Sequence, residues 1–230
     1  MAREGAEERR RRAGRIARRL ARTYPEARTA LRWETPFQLL VATILSAQCT
    51  DQKVNEVTQT LFTRWGTPGA LADADAERVE AVVRPTGFYR QKTKSIQAAA
   101  RDVVERFGGE VPDTLEELVS LRGVARKTAN VVLGSAFGVP GIAVDTHVKR
   151  VTGRLELTAH DDPEKIERDL MELLPRKEWT AFSLRTILHG RETCTARAPR
   201  CDDCVLREEC PYPERAVRGG AARRGGSRRR

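Results

Sequence analysis

Aromatic residues make up only 5% of this 230-residue chain, and no stretch approaches the roughly 20 consecutive apolar residues that a membrane span needs. The first shortage speaks against a β-sandwich or barrel, which draws on β-branched and aromatic side chains. The second excludes an integral membrane protein. No alternating apolar and polar run is long enough to read as a strand. No apolar segment follows Arg9–Arg12, so the N-terminus does not read as a secretory signal, and Glu4, Glu7 and Glu8 with no Ser beside them argue against a transit peptide. Cysteine is limited to five residues. Without an export signal they belong in a reducing compartment, the cytoplasm, where disulfides are not expected.

What is present is helical. Ala, Leu and Val supply most of the apolar content, and 230 residues suffice for one large domain or two small ones. Apolar spacing predicts helices over about 15–24, 37–48, 51–65, 75–84, 91–107, 114–121, 126–137, 145–153, 163–174 and 178–189. Pro36 opens the second of these, Asp51 can cap the third, and Gly66 and Gly108 supply stops. The fold class read from this pattern is all-α with short loops.

The net charge of +10 is unevenly spread. Residues 1–22 carry nine Arg against three Glu and residues 214–230 seven Arg against one Glu, so each end holds +6 and the body between is −2. The pI of 9.9 is thus a property of two ends. Residues 1–14 and 213–230 read as basic disordered tails that add sequence-independent affinity for phosphate. Arg outnumbers Lys 35 to 7, which hints at a GC-rich bacterial genome.

Cys194, Cys201, Cys204 and Cys210 form a C-x6-C-x2-C-x5-C set within 17 residues. Four thiolates so close suit a zinc ion or an iron–sulfur cluster. Zinc modules usually pair two C-x2-C knuckles, and only one is found here. Cys49 stands apart in an apolar helix and reads as a buried small hydrophobe.

Residues 118–133, LVSLRGVARKTANVVL, place a glycine turn at Gly123 between two helices. Such a turn offers backbone N–H groups beside a helix N-terminus, a cradle for phosphate without regard to sequence; an ordinary helix–helix corner gives the same pattern. Lys127 lies in the first turn of the second helix. There the helix dipole and Arg126 disfavour an ammonium, so shelter would lower its pKa and ready it to attack carbon as a neutral amine. In GIAVDTHVKR, Asp145 follows an apolar run and precedes a helix. It reads either as an N-cap or as a carboxylate that stabilises a cationic sugar or relays a proton.

LSAQCTD (45–51), GVARKTANVVL (123–133), AVDTHVKR (143–150) and the cysteine loop occur in this order over residues 15–212. Together they resemble the endonuclease III family, the bifunctional DNA glycosylase/AP lyases of the helix-hairpin-helix superfamily, in the branch that carries a 4Fe-4S cluster. The resemblance implies a six-helix barrel at 29–139 with the hairpin at about 114–133. It implies a second helical domain from 15–28 and 140–212, with a cluster loop at 194–210. Lys127 takes the position of the catalytic lysine that forms a Schiff base, and Asp145 that of the aspartate that stabilises charge or relays a proton. Cys194, Cys201, Cys204 and Cys210 match the cluster ligands. Gln48 matches the residue that fills the gap left by an extruded nucleotide, and Phe88 stands where the family has a smaller apolar wedge. Gly123, Val124, Ala125 and Arg126 would contact the DNA backbone, with His147 and Lys149 bordering the same groove. Arg197 and Arg200, between the first two cysteines, read either as phosphate contacts or as part of a solvated loop.

The implied activity is base excision repair: removal of oxidised or damaged pyrimidines from double-stranded DNA, then cleavage 3′ to the abasic site by β-elimination. The implied protein is a monomer in the bacterial cytoplasm, associated with the nucleoid and with no membrane. A monofunctional adenine-glycosylase-like enzyme shares the fold, cluster and aspartate but lacks the lysine. The family hairpin reads L-P-G-V-G-R-K, whereas this chain has Leu121-Arg122-Gly123-Val124-Ala125-Arg126-Lys127. Ala125 for glycine is expected to strain a position of positive φ. Arg122 for proline is expected to loosen the turn while adding a cation beside DNA. These changes bear on affinity more than on chemistry, since Lys127 and Asp145 are both present; a catalytically weak DNA-binding protein is the alternative that the altered hairpin suggests.

Overall fold

The computed structural model describes residues 4–214, and among them there are eleven α-helices and no strand. In chain order the helices are α1 (Ala6–Thr23), α2 (Pro36–Leu45), α3 (Asp51–Trp65), α4 (Pro68–Ala72), α5 (Ala76–Val83), α6 (Tyr89–Phe107), α7 (Leu115–Ser120), α8 (Arg126–Val132), α9 (Thr146–Arg154), α10 (Pro163–Leu173) and α11 (Trp179–Glu192). None is long and apolar enough to cross a membrane. The chain divides into two compact units, one of residues 28–143 and one of residues up to 27 together with those from 144.

The 28–143 unit is built round α2. Thr35 caps it by accepting from the Gln38 N–H, Pro36 fills its first turn, and every residue from Leu39 to Leu45 is buried. A helix apolar on all sides belongs in a core. Helices α3, α6 and α8 pack on it, α4 and α5 pack on α6, and α7 packs on α8. Helix α6 has Phe88 as its N-cap, in left-handed backbone at φ +47°, and Gly108 as its C-cap. The single-turn α4 is absent from the sequence reading, because only Leu71 in it is buried. The helix predicted to reach Gln48 stops at Leu45, and Cys49 lies half-buried in the turn that follows rather than in a helix. Helix α8 continues as a π turn over Leu133–Phe137.

In the other unit α1 packs on α10 and α11, and α9 packs on α11. Ala13, Ile16, Ala17 and Leu20 are the buried stripe of α1. The disorder expected over 1–14 is not found where the structure describes it, since α1 begins at Ala6. Several of the arginines that suggested a solvated tail are engaged. Arg12 donates to both Glu4 carboxylate oxygens at 2.8 and 2.7 Å, to Leu155 O at 2.6 Å and to Glu209 O at 3.2 Å. Arg15 forks onto the Glu209 carboxylate at 2.9 and 3.0 Å, and Arg19 pairs with Glu208. Of the C-terminal tail expected at 213–230, all beyond residue 214 lies outside the described residues.

Candidate functional site

The hairpin turn is closed by Val124 N–H donating to Leu121 O at 3.1 Å. Gly123 sits third in this turn at φ +83°, and a Cβ there would fall 2.8 Å from Ser95 Cβ on α6. Both the backbone conformation and the space require glycine. The two departures behave differently from expectation. Ala125 is the N-cap of α8 at φ −84° and ψ 159°, an extended conformation any residue adopts, so replacing glycine brings no strain there. Arg122 does not loosen the turn. Its backbone N–H donates to Asp102 Oδ2 at 2.7 Å, and its guanidinium reaches Oδ1 through Nε at 2.9 Å and Nη2 at 2.7 Å. Val124 is buried, whereas Gly123, Ala125 and Lys127 are exposed. The shelter expected to activate Lys127 is not found, since its side chain is exposed. Ala125 gives α8 no side-chain cap.

Gln48 and Phe88 share an unusual backbone. They and Glu156 are the three non-glycine residues with positive φ among those described, at +53°, +47° and +52°. Gln48 is exposed in the turn between α2 and α3, and Phe88 is 67% exposed, a large apolar ring facing solvent. Strained backbone that presents an exposed side chain is a mark of a functional position. Lys92, absent from the sequence reading, underlies the second of these loops. It is 5% exposed, its Nζ donates to Thr86 O at 2.7 Å, and burial lowers its pKa against a weaker opposing pull from Cys49. Nothing in the local string YRQKTK distinguishes it from a surface lysine.

Asp145 is half-buried and caps α9. Its Oδ1 accepts from His147 N–H and Val148 N–H, both at 2.8 Å, which fixes the carboxylate's orientation with both cap bonds on one oxygen. The capping and catalytic readings of this residue are compatible. Burial lowers the pKa of His147, with Asp145 pulling the other way. Arg150 Nη2 lies 3.1 Å from His147 Nδ1 and donates to Gly190 O at 2.8 Å. A Cβ on Gly190 would come within 2.9 Å of His147 Cβ, so the α9–α11 approach depends on that glycine. Lys149 pairs with the exposed Asp161 at 3.0 Å. Lys127 belongs to the 28–143 unit, and Asp145, His147 and Lys149 to the other.

The four cysteines line one cavity with Val151, Leu155 and Leu206 among its apolar walls. Arg154 organises the loop: Nη1 donates to Cys194 Sγ at 3.2 Å and Thr195 O at 2.8 Å, and Nη2 donates to Ala196 O at 2.8 Å. The guanidinium also lies 4.4 Å from the centre of the Tyr212 ring. Arg200 donates to Glu192 O at 2.8 Å, so it too serves the loop. Burial pushes the Cys204 thiol up and the Cys210 thiol up to about 11, and the neighbouring cysteines push both the same way. Thiols in that setting become thiolates together only around a cationic guest. No three His, Cys, Asp or Glu among the described residues converge tightly enough to hold a single metal ion.

Residues 41–176 match the family of HhH-GPD superfamily base excision DNA repair proteins. The chain is 55% identical to the endonuclease III of Synechocystis sp. over 193 residues, 84% of this chain and 88% of that one. It is 40% identical to the endonuclease III of Escherichia coli over 200 residues, 87% of this chain and 95% of that one. Among solved structures it is similar to an endonuclease III in a non-covalent complex with DNA, with a TM-score of 0.86, 40% identity and coverage of 91% of this chain and 98% of that one. A trapped covalent endonuclease III–DNA intermediate matches with the same TM-score and identity over 90% and 98%. The chain belongs to the HhH-GPD superfamily of base excision DNA repair proteins and, within it, to the endonuclease III family of DNA glycosylase/AP lyases.

Proposed function

We propose that the protein excises oxidised and otherwise damaged pyrimidines from double-stranded DNA and then cuts the strand 3′ to the abasic site, with Lys127 as nucleophile. The observation that carries this reading is the exposed amine of Lys127 in the first turn of α8, four residues after the Gly123 turn. A grip on phosphate by the turn at residues 123–126 would bring the DNA backbone to the lysine. Rotating a nucleotide out of the stack costs a few kcal/mol, least for a damaged base. Phe88 as apolar wedge and Gln48 as gap filler offset that loss.

Lys127 Nζ attacks C1′ of the sugar, the C1′–N bond breaks, and the base departs with the electron pair and takes up a proton. Asp145, through the oxygen its cap does not use, stabilises positive charge developing on the sugar. The amine adduct opens to a Schiff base, a proton leaves C2′, and the C3′–O bond breaks to release the 3′ phosphate. His147 and Lys149, in the first turn of α9, serve the DNA backbone nearby.

The donor set of the cysteine cavity fits a 4Fe-4S cluster, since four cysteine thiols border one cavity. Cys194, Cys201, Cys204 and Cys210 would hold it, and bound it supplies iron–thiolate bonds that cross-link residues 194–210. The protein acts as a monomer in the cytoplasm, on nucleoid DNA. Borohydride trapping on a duplex with one abasic site or one thymine glycol tests the chemistry. A covalent adduct is expected for the natural protein and none for Lys127→Ala. An adduct that persists would move the nucleophile to another amine. No adduct from either, with binding intact, would favour a monofunctional adenine-glycosylase-like enzyme or a catalytically weak binder.

A further inference from the structure

Helix α6 faces the hairpin with one stripe. Ser95, Asp102 and Arg106 are spaced i, i+7, i+11 and so share a side of the helix. Ser95 is the residue pressed against Gly123. Asp102 holds Arg122, and Arg106 donates to Ser120 O at 3.1 Å and Ser120 Oγ at 2.7 Å. Residues 120, 122 and 123 are thus each held by α6, whose N-cap is the exposed Phe88. The middle contact is unlike the others. The Asp102 side chain is 6% exposed and its partner 58% exposed, so a buried anion is spent on a surface cation in the turn. All three bonds go to one residue, which fixes both the backbone and the side chain of Arg122. The guanidinium beside Asp102 also holds its carboxyl below the usual carboxylate range.

We propose that Asp102 is a positioning residue for DNA engagement: acting through Arg122, it sets the turn that grips the backbone and withholds the Arg122 charge from phosphate. This rests on the reading of residues 123–126 as the DNA grip. Arg122 is second in a turn whose third residue, Gly123, has φ +83°, the place where proline presets a type II turn without any anchor. Leu121, at φ −71° and ψ 134°, has the extended conformation that a following proline demands. With arginine there instead, the buried carboxylate does the work of the ring. It also neutralises the cation that would otherwise add a sequence-independent phosphate contact.

The test uses the full chain with its cofactor, comparing the natural protein with Asp102→Asn and with Asp102→Ala combined with Arg122→Pro. Affinity for an undamaged duplex is measured by anisotropy between about 50 and 200 mM salt, and borohydride trapping is timed on an abasic duplex. In Asp102→Asn the logarithmic salt slope is expected to steepen by about 0.9, the value of one added phosphate contact. Trapping is expected to slow about tenfold or more, as a misplaced grip would cause. The double variant is expected to recover both the natural slope and the natural trapping rate. A merely structural role for Asp102 would lower the melting temperature and leave the salt slope unmoved, and that result overturns the proposal. A natural protein that traps DNA beside an Asp102→Asn variant that traps as fast, with the same slope, also overturns it and leaves the reading of the grip standing. A natural protein that neither binds nor traps defeats that reading itself.

Discussion

At Gly123 the backbone and the packing make the same demand. An alanine there would carry φ +83°, which costs a residue with a Cβ about 1–2 kcal/mol. It would also press that Cβ to 2.8 Å from Ser95 Cβ, an overpacking of about 1–3 kcal/mol. Gly123→Ala is therefore expected to lose about 2–5 kcal/mol in a denaturant titration and to lose duplex affinity with it. This requirement was legible in the sequence, because a glycine between two helical patterns has few other reasons to be there. The corresponding inference for Ala125 failed, since a family's glycine at a position does not reveal which φ that position has. Here it is an extended N-cap. Arg122 failed for another reason: its partner Asp102 stands 20 residues away, and only the packing of α6 brings it near. The residues proposed for the chemistry, Lys127, Asp145 and the four cysteines, were picked out by short motifs and the family resemblance, and the structure gathers the four cysteines round one cavity.

The helices followed from apolar spacing and caps wherever a helix buries a continuous stripe. Asp51, expected to cap α3, lies in its first turn instead; the cap is Thr50, which accepts from the Lys53 N–H, as Asp162 accepts from the Lys165 N–H before α10. The first turns of α1 were illegible because Arg9 to Arg12 read as a solvated charge run, whereas Arg12 is held by Glu4 and by the Leu155 and Glu209 carbonyls, far along the chain. The loop before α6 was illegible in the same way. Lys92 looks like a surface residue until its Nζ is found on Thr86 O, with Thr86 itself buried. Lys92→Met removes a buried ammonium that burial disfavours, but it leaves that carbonyl without its donor. A buried acceptor left unpaired costs about 1–3 kcal/mol. The variant is expected to lose about 1–2 kcal/mol in urea. Trapping on a thymine glycol duplex should fall further than on an abasic site, because Phe88 has more stacking to replace when a base must be extruded. Equal losses on both substrates would mean that Lys92 supports the fold and not the wedge.

For the molecule as a whole, the excess of arginine is partly internal. Each unit relies on a carboxylate held below its ordinary pKa by an arginine: Asp102 by Arg122 in the 28–143 unit, and Glu4 by Arg12 and Glu209 by Arg15 in the other. A carboxyl whose folded pKa lies below its unfolded one contributes stability above the unfolded value and loses it as pH falls through the folded one. The ordinary values are 3.8 for Asp102 and 4.5 for the two glutamates. The melting temperature is therefore expected to be level in these contributions at neutral pH, to begin falling near 4.5 as the glutamates enter their range, and to fall further below 3.8 as Asp102 does. Calorimetry from pH 7 to 3 checks the course, and Asp102→Asn and Glu209→Gln assign it. Each variant should start less stable at pH 7 and lose less than the natural protein on acidification, because the amide has no proton to take up. A variant whose acid loss equals that of the natural protein would show that its carboxylate is not among the groups that titrate on unfolding. The same pairs explain why a count of charge overstates the cation presented to DNA: Arg12, Arg15, Arg19 and Arg122 are already matched by carboxylates of this chain.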